Sequence, residues 1–196
     1  MVETIAPVVY EGKRSRYLTA VAFFAFGAVV AAGLVGLIAG TVGMLVGAPW
    51  GTAGWIVIAV AALIYALREV LKLPIPVPDR HQQVPLWWRS FYSQRVTALL
   101  YGFGLGLGYL TYLSYGTYFV VTIAAFSWGD PLLGAALCAP FGLGRALSVL
   151  IANRRLDNEQ PSGIDTVDEL AQNRAPRLAN AFILLIAALA AAILVA

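Results

Sequence analysis

From Tyr17 to Leu67 the chain carries no Asp, Glu, Lys, Arg or His, and only the GAPWGTAG stretch interrupts its apolar run. A helix that crosses a bilayer uses about 20 apolar residues. This segment therefore predicts two crossings, with a Gly/Pro turn between them, and lipid is the solvent it requires. Composition agrees: of 196 residues, 60% are hydrophobic and 12% charged, against roughly 25% charged in an average soluble domain. About four to six spans with their connections use the whole length, which leaves no separate soluble domain.

The first two spans are expected at 17–46 and 53–71. The segment LPIPVPDRHQQVPLWWRSFYSQR has prolines at 74, 76, 78 and 85 and three Arg. This is loop chemistry with an extended start, leading into a surface-lying stretch with Trp87, Trp88, Phe91 and Tyr92. Residues 96–129 carry no charge. As one straight helix they would run about 50 Å, against a hydrocarbon core of about 30 Å. A third span at 96–127 must therefore tilt, break or pass the interface. A fourth is expected at 131–152 and a fifth at 178–196. The polar loop between these last two places Ser162 and Asp165 at capping-box spacing.

Basic residues mark the cytoplasmic side of such proteins. Lys13, Arg14 and Arg16 precede the first span, Lys72, Arg80, Arg89 and Arg95 separate the second and third, and Arg154, Arg155, Arg174 and Arg177 separate the last two. The other connections have none. The expectation is an all-α integral membrane protein of five spans, with the N-terminus cytoplasmic and the C-terminus outside. Trp50, Trp55 and Trp128 then fall at the outer interface and Trp87 and Trp88 at the inner one, where amphipathic rings settle. The N-terminal basic cluster precedes an apolar run too long for a signal peptide, so that run is expected to remain as an anchor. A net charge of +3 that is spread beside the spans points to membrane lipid as a partner and away from nucleic acid.

Gly33, Gly36, Gly40, Gly43 and Gly47 follow i+3 and i+4 steps and predict a helix face open to close packing. This face reads as tight helix packing, with a ligand path as the alternative, and with no obvious partner in the chain it invites another protein's helix or a second copy. In GFGLGLGYLTYLSYGTYF, Gly102 and Gly106 share one face and Gly104 and Gly108 the opposite one. Thr111, Ser114 and Thr117 follow, with Tyr109, Tyr112, Tyr115 and Tyr118 at i+3 spacing. Hydroxyls at this depth need partners. They bond to neighbouring helices, or they line a break that exposes carbonyls to a cavity.

Arg145 is the one charge well inside a predicted span, and an intramembrane charge is a functional candidate by default. It either snorkels to the interface or stays buried against carbonyls, one of which Pro140 would free. Thr111, Ser114, Tyr115, Thr117 and Arg145 are thus the candidate path or binding residues. Glu69 and Asp130, at span ends, read as anchors or caps, and the absence of acids from span interiors argues against a carboxylate relay. With His81 the sole histidine and Cys138 the sole cysteine, an intrachain disulfide, a zinc cage and a two-histidine haem are excluded within the chain. No catalytic or metal residue is identified, and the sequence names no cofactor. The acidic 157–169 segment, with Ile164, Val167 and Leu170 at i+3 spacing, reads as a solvated helix or a docking surface.

The sequences GAALCAPFGLGRALSVL and GLGLGYLT resemble the second half of the CcdA and DsbD membrane family. The resemblance covers roughly residues 16–196 and is shared in outline with small-solute exporters. It implies the bacterial cytoplasmic membrane and two inverted three-helix repeats, each with a redox Cys near a Pro in its first helix. This chain departs from that pattern. Leu113 and Gly116 stand where the family places the Cys and the Pro, and Cys138 lies on a different helix. Five spans with an inward N-terminus would match family helices two to six, without the first helix and its Cys. The resemblance therefore implies a degenerate inverted repeat without thiol exchange. The expected function is a non-catalytic subunit of a larger membrane complex. The alternatives are a small-solute transporter or channel with a hydroxyl-lined path, and electron transfer between Cys138 and a partner thiol.

Overall fold

Backbone that faces lipid must satisfy its own hydrogen bonds, which a helix does within one segment. The computed structural model describes residues 14–76, 91–108, 116–158 and 174–195. Among them are six helices: α1 (Arg14–Leu45), α2 (Thr52–Leu71), α3 (Gln94–Gly106), α4 (Thr117–Trp128), α5 (Pro131–Asn158) and α6 (Arg174–Ile193). Three are long and apolar enough to cross a bilayer, over Ser15–Leu45, Thr52–Leu71 and Pro131–Ser148. Thr117–Trp128 and Arg177–Ile193 are shorter apolar helices.

Most buried positions carry small side chains and many large apolar ones are exposed, with Phe24, Tyr118 and Leu184 among the large residues that are buried. On α6, Ala181, Ala188 and Ala191 are buried, while Leu178, Phe182, Ile183, Ile186 and Leu189 are each more than half exposed. On α1, Ala28, Ala31 and Ala32 are 0% exposed, whereas Phe26 and Ile38 face outward. In water this arrangement would sacrifice apolar burial. In lipid, large apolar side chains gain nothing from going inside, and small ones let backbones approach.

The uncharged stretch read as a single span over 96–127 is two helices. α3 ends at Gly106 and α4 begins at Thr117. Gly108 has φ 67°, a left-handed conformation that does not continue a right-handed helix and that glycine adopts at little cost. Each glycine at 102, 104, 106 and 108 also weakens helix by about 1 kcal/mol relative to alanine. Thr111, Ser114 and Tyr115 lie outside the described residues. At the other end of α4, Gly129 has φ 65° and donates its N–H to the Ala125 carbonyl at 3.2 Å. Asp130 then caps α5, its Oδ1 accepting from the N–H groups of Leu132 and Leu133 at 2.8 and 3.0 Å.

The chain forms two compact units, dividing α1 after Ala32 and α5 after Cys138. The first unit contains α1 up to Ala32, α3, and α5 from Ala139. Its core joins Ala20, Phe24 and Ala28 of α1, Ala98, Tyr101 and Leu105 of α3, and Ala146 of α5. Gly102 and Gly106 sit against the carbonyls of Phe24 and Ala28, and Gly142 of α5 meets the same Ala28 carbonyl.

The second unit contains the rest of α1, α2, α4, the start of α5, and α6. Here Gly36, Gly40 and Gly43 of α1 meet the carbonyls of Gly134, Asp130 and Phe126. Gly36, Gly40 and Gly43 of α1 are therefore packed closely against their own chain. Gly33 is half-buried at the edge of this stripe, and Gly104 is buried on α3. α2 packs against both α4 and α6.

Candidate functional site

Ile58, Ala62, Tyr65, Ala66 and Glu69 are the buried face of α2 over its last three turns. This spacing carries Glu69 inward, so its carboxylate must find cations. Arg68 Nη1 donates to Glu69 Oε1 at 2.6 Å, and Arg177 Nε of α6 donates to Oε2 at 3.2 Å. The Glu69 side chain is 2% exposed, against 18% for Arg68 and 35% for Arg177. Glu69 is thus a buried bridge between α2 and α6, which corrects its reading as an end anchor. Desolvating a lone carboxylate costs several kcal/mol, and only good geometry with charged partners offsets this.

The bridge has support at the end of α2. Lys72 adopts a left-handed conformation, φ 55°, and ends the helix with its N–H on the Arg68 carbonyl. The chain then turns back, so Arg68 Nε reaches the Ile75 carbonyl at 2.7 Å and the Tyr65 hydroxyl points to the Pro76 carbonyl at 3.4 Å. The Tyr65 ring meets Phe119 edge to face at 5.5 Å and fills the space a Cβ on Gly116 would need.

Thr117, at the start of α4, donates its hydroxyl to Asn180 Oδ1. Asn180 stands one turn beyond Arg177, so one side of α6 bears both the ion pair and this hydrogen bond. Its amide nitrogen is buried without a partner among the described residues. Glu69, Arg177, Asn180 and Thr117 make a polar seam where α2, α4 and α6 meet. Its groups hold charge and accept hydrogen bonds, and it includes no thiol or imidazole.

Of the residues singled out in the sequence, Thr117 belongs to this seam. Arg145 belongs to the first unit, half-buried, with its guanidinium carbon 5.6 Å from the centroid of the Phe141 ring. Its carbonyl accepts from the Ser148 hydroxyl at 2.8 Å. Cys138 is 0% exposed, beside the position a Cβ on Gly36 would take. Exchange with a partner's thiol would require these helices to part. His81 lies outside the described residues. Among the described residues no group of three or more His, Cys, Asp or Glu is placed to hold a metal.

Sequence reasoning missed Glu69, Arg177 and Asn180. The signal for Glu69 was its place four residues after Tyr65 and seven after Ala62, on the face that carries the small residues of α2.

Apolar helices with small buried residues, large exposed ones and an internal ion pair define a helical, multi-pass membrane protein. Comparison with known proteins gives that class a narrower likeness. The chain is 37% identical over 129 residues to "Methylamine utilization protein MauF" of Paracoccus versutus, covering 65% of this chain and 46% of that protein. The protein of the same name from Methylophilus methylotrophus is 36% identical over 128 residues, covering 65% and 44%, and that from Paracoccus denitrificans 35% identical over 131 residues, covering 65% and 45%. The chain thus matches less than half the length of these relatives. No family model matches, and no solved structure matches.

Proposed function

We propose that this chain is a non-enzymatic component of methylamine utilization in a bacterial cytoplasmic membrane, acting as a scaffold subunit of a larger membrane assembly. The observation that carries the reading is its likeness to MauF over 65% of its residues. Two further features support it. Within the seam, Glu69 pairs with Arg177 and Thr117 with Asn180 across helices, as structural groups do. The chain's single thiol is enclosed between α1 and α5, a poor position for exchange. The scaffold is read as a CcdA- and DsbD-like inverted repeat with Leu113 and Gly116 in place of the redox Cys and its Pro.

The test is growth of a strain deleted for this chain with methylamine as the only nitrogen source. Growth should be lost, stay normal on ammonium, and return when the full chain is supplied. Normal growth of the deletion strain on methylamine would refute the reading.

A further inference from the structure

In the second unit, the start of α2 and the end of α4 form a pocket of about 110 Å³ with Pro49 of the connection before α2. Gly51, Gly54 and Trp55 line it on one side and Ser127 and Trp128 on the other. The volume is several times what one water needs, and no charged side chain borders it. The two indoles meet edge to face, with centroids 5.2 Å apart and planes at 74°. That arrangement leaves negative ring faces uncovered, and such faces attract cations.

Ser127 is 4% exposed, and its Oγ has no hydrogen-bond partner among the described residues. Its side chain is directed at the pocket wall, since a Cβ added to Gly54 would stand 3.4 Å from Ser127 Cβ. The hydroxyl oxygen can accept from a ligand's N–H. The surrounding charge also favours a cation. Residues 17–67, 96–144 and 178–196 contain no Lys or Arg and a single acidic side chain, Asp130, two residues beyond Trp128. The helix ends add little, because the α2 N-terminus and the α4 C-terminus bring opposite partial charges to the same place.

We propose that this pocket binds a small primary ammonium group, which donates to Ser127 Oγ and rests its charge against the faces of Trp55 and Trp128. Free methylammonium and the headgroup of phosphatidylethanolamine carry the same chemistry. The choice of methylammonium rests on the reading of the chain as part of methylamine utilization, whereas the preference for an ammonium group rests on the pocket.

The test is saturation-transfer NMR of the methyl signal of methylammonium chloride, titrated into the detergent-solubilised full chain at constant ionic strength. Binding should weaken at least about fivefold in Trp55→Leu and at least about tenfold in Ser127→Ala. Ser127→Ala should also keep or raise the melting temperature, since it removes a buried hydroxyl that has no partner. Gly54→Ala sets its methyl at ordinary contact distance, so the fold should hold while the pocket narrows and binding weakens. Displacement by dioctanoyl phosphatidylethanolamine but not by phosphatidylglycerol would assign the pocket to the lipid headgroup. Binding that resists both lipids would assign it to the free ion, and either result supports the site. No methylammonium signal above that of detergent alone would overturn it, as would equal binding by the wild type and the folded Ser127→Ala and Gly54→Ala variants. Binding by the purified chain, together with normal growth of the deletion strain on methylamine, would refute the role in methylamine utilization and keep the site. Lost growth without binding would do the reverse.

Discussion

Arg177 Nε reaches Glu69 Oε2 at 3.2 Å across 108 positions of sequence, tying α6 to the buried face of α2. The carboxylate also holds Arg68, so losing one arginine leaves it one cation. Losing the carboxylate leaves two guanidinium groups facing the same space.

Removing the carboxylate should therefore cost more than removing either arginine. Glu69→Leu is expected to destabilise the fold by about 3–5 kcal/mol, the range for breaking a buried pair from one side. Arg177→Gln should cost about 1–2 kcal/mol, because the exposure of Arg177 lets solvent screen the pair. Unfolding of the single and double variants in mixed micelles checks this, with the double costing less than the sum. Additive losses would show that the two residues do not interact.

Gly36 and Gly134 approach so closely that a Cβ on either would overlap the carbonyl oxygen of the other. Gly36→Leu and Gly134→Leu should each destabilise by about 3 kcal/mol or more, at or beyond the upper end for overpacking. Gly144 has nothing within 4 Å of a built Cβ, so Gly144→Ala should be neutral or stabilise by up to about 1 kcal/mol. Melting temperatures of the detergent-solubilised variants separate the two classes. Equal effects at Gly36 and Gly144 would contradict the packing.

These glycines also show how much was legible from the sequence. Gly36, Gly40, Gly43, Gly102 and Gly106 were readable because glycine at i+3 and i+4 steps announces close approach. The α5 stripe that packs on α1 was harder to see, since Gly134, Cys138, Gly142 and Ala146 share a spacing of four but not a residue type. Asp130 was legible as a cap because its bonds are local. Glu69 was not, because its neighbour Arg68 already explains a charge at a helix end and Arg177 is remote in sequence. Residues 96–129 were recognisably too long for one straight span, but a break, a tilt and an overrun share the same length. The left-handed backbone at Gly108 distinguishes them.

Thr117 and Asn180 join α4 to α6. Thr117→Val keeps the shape and removes the hydroxyl, which leaves the Asn180 carbonyl oxygen without that donor. The expected cost is about 0.6 kcal/mol and no more than about 1.7 kcal/mol, the average and maximum for hydrogen bonds between membrane helices. Asn180→Leu should cost a similar amount, and nothing further when Thr117→Val is already present. Unfolding of the pair of variants decides it, and full additivity would contradict the bond.

Cys138 is 0% exposed. A maleimide should label the native detergent-solubilised protein slowly and the denatured protein completely. Gly36→Leu, which forces apart the helices that cover the thiol, should accelerate labelling. Fast labelling of the native wild type would contradict the burial.

The central claim is that a membrane scaffold without thiol chemistry serves methylamine utilization. Its most direct test is growth on methylamine of the deletion strain supplied with Cys138→Ala, which removes the chain's single sulfhydryl. Growth at the wild-type rate is the predicted result. Failure to grow, with the variant folded and inserted in the membrane at wild-type levels, would contradict the account and assign the thiol a chemical role.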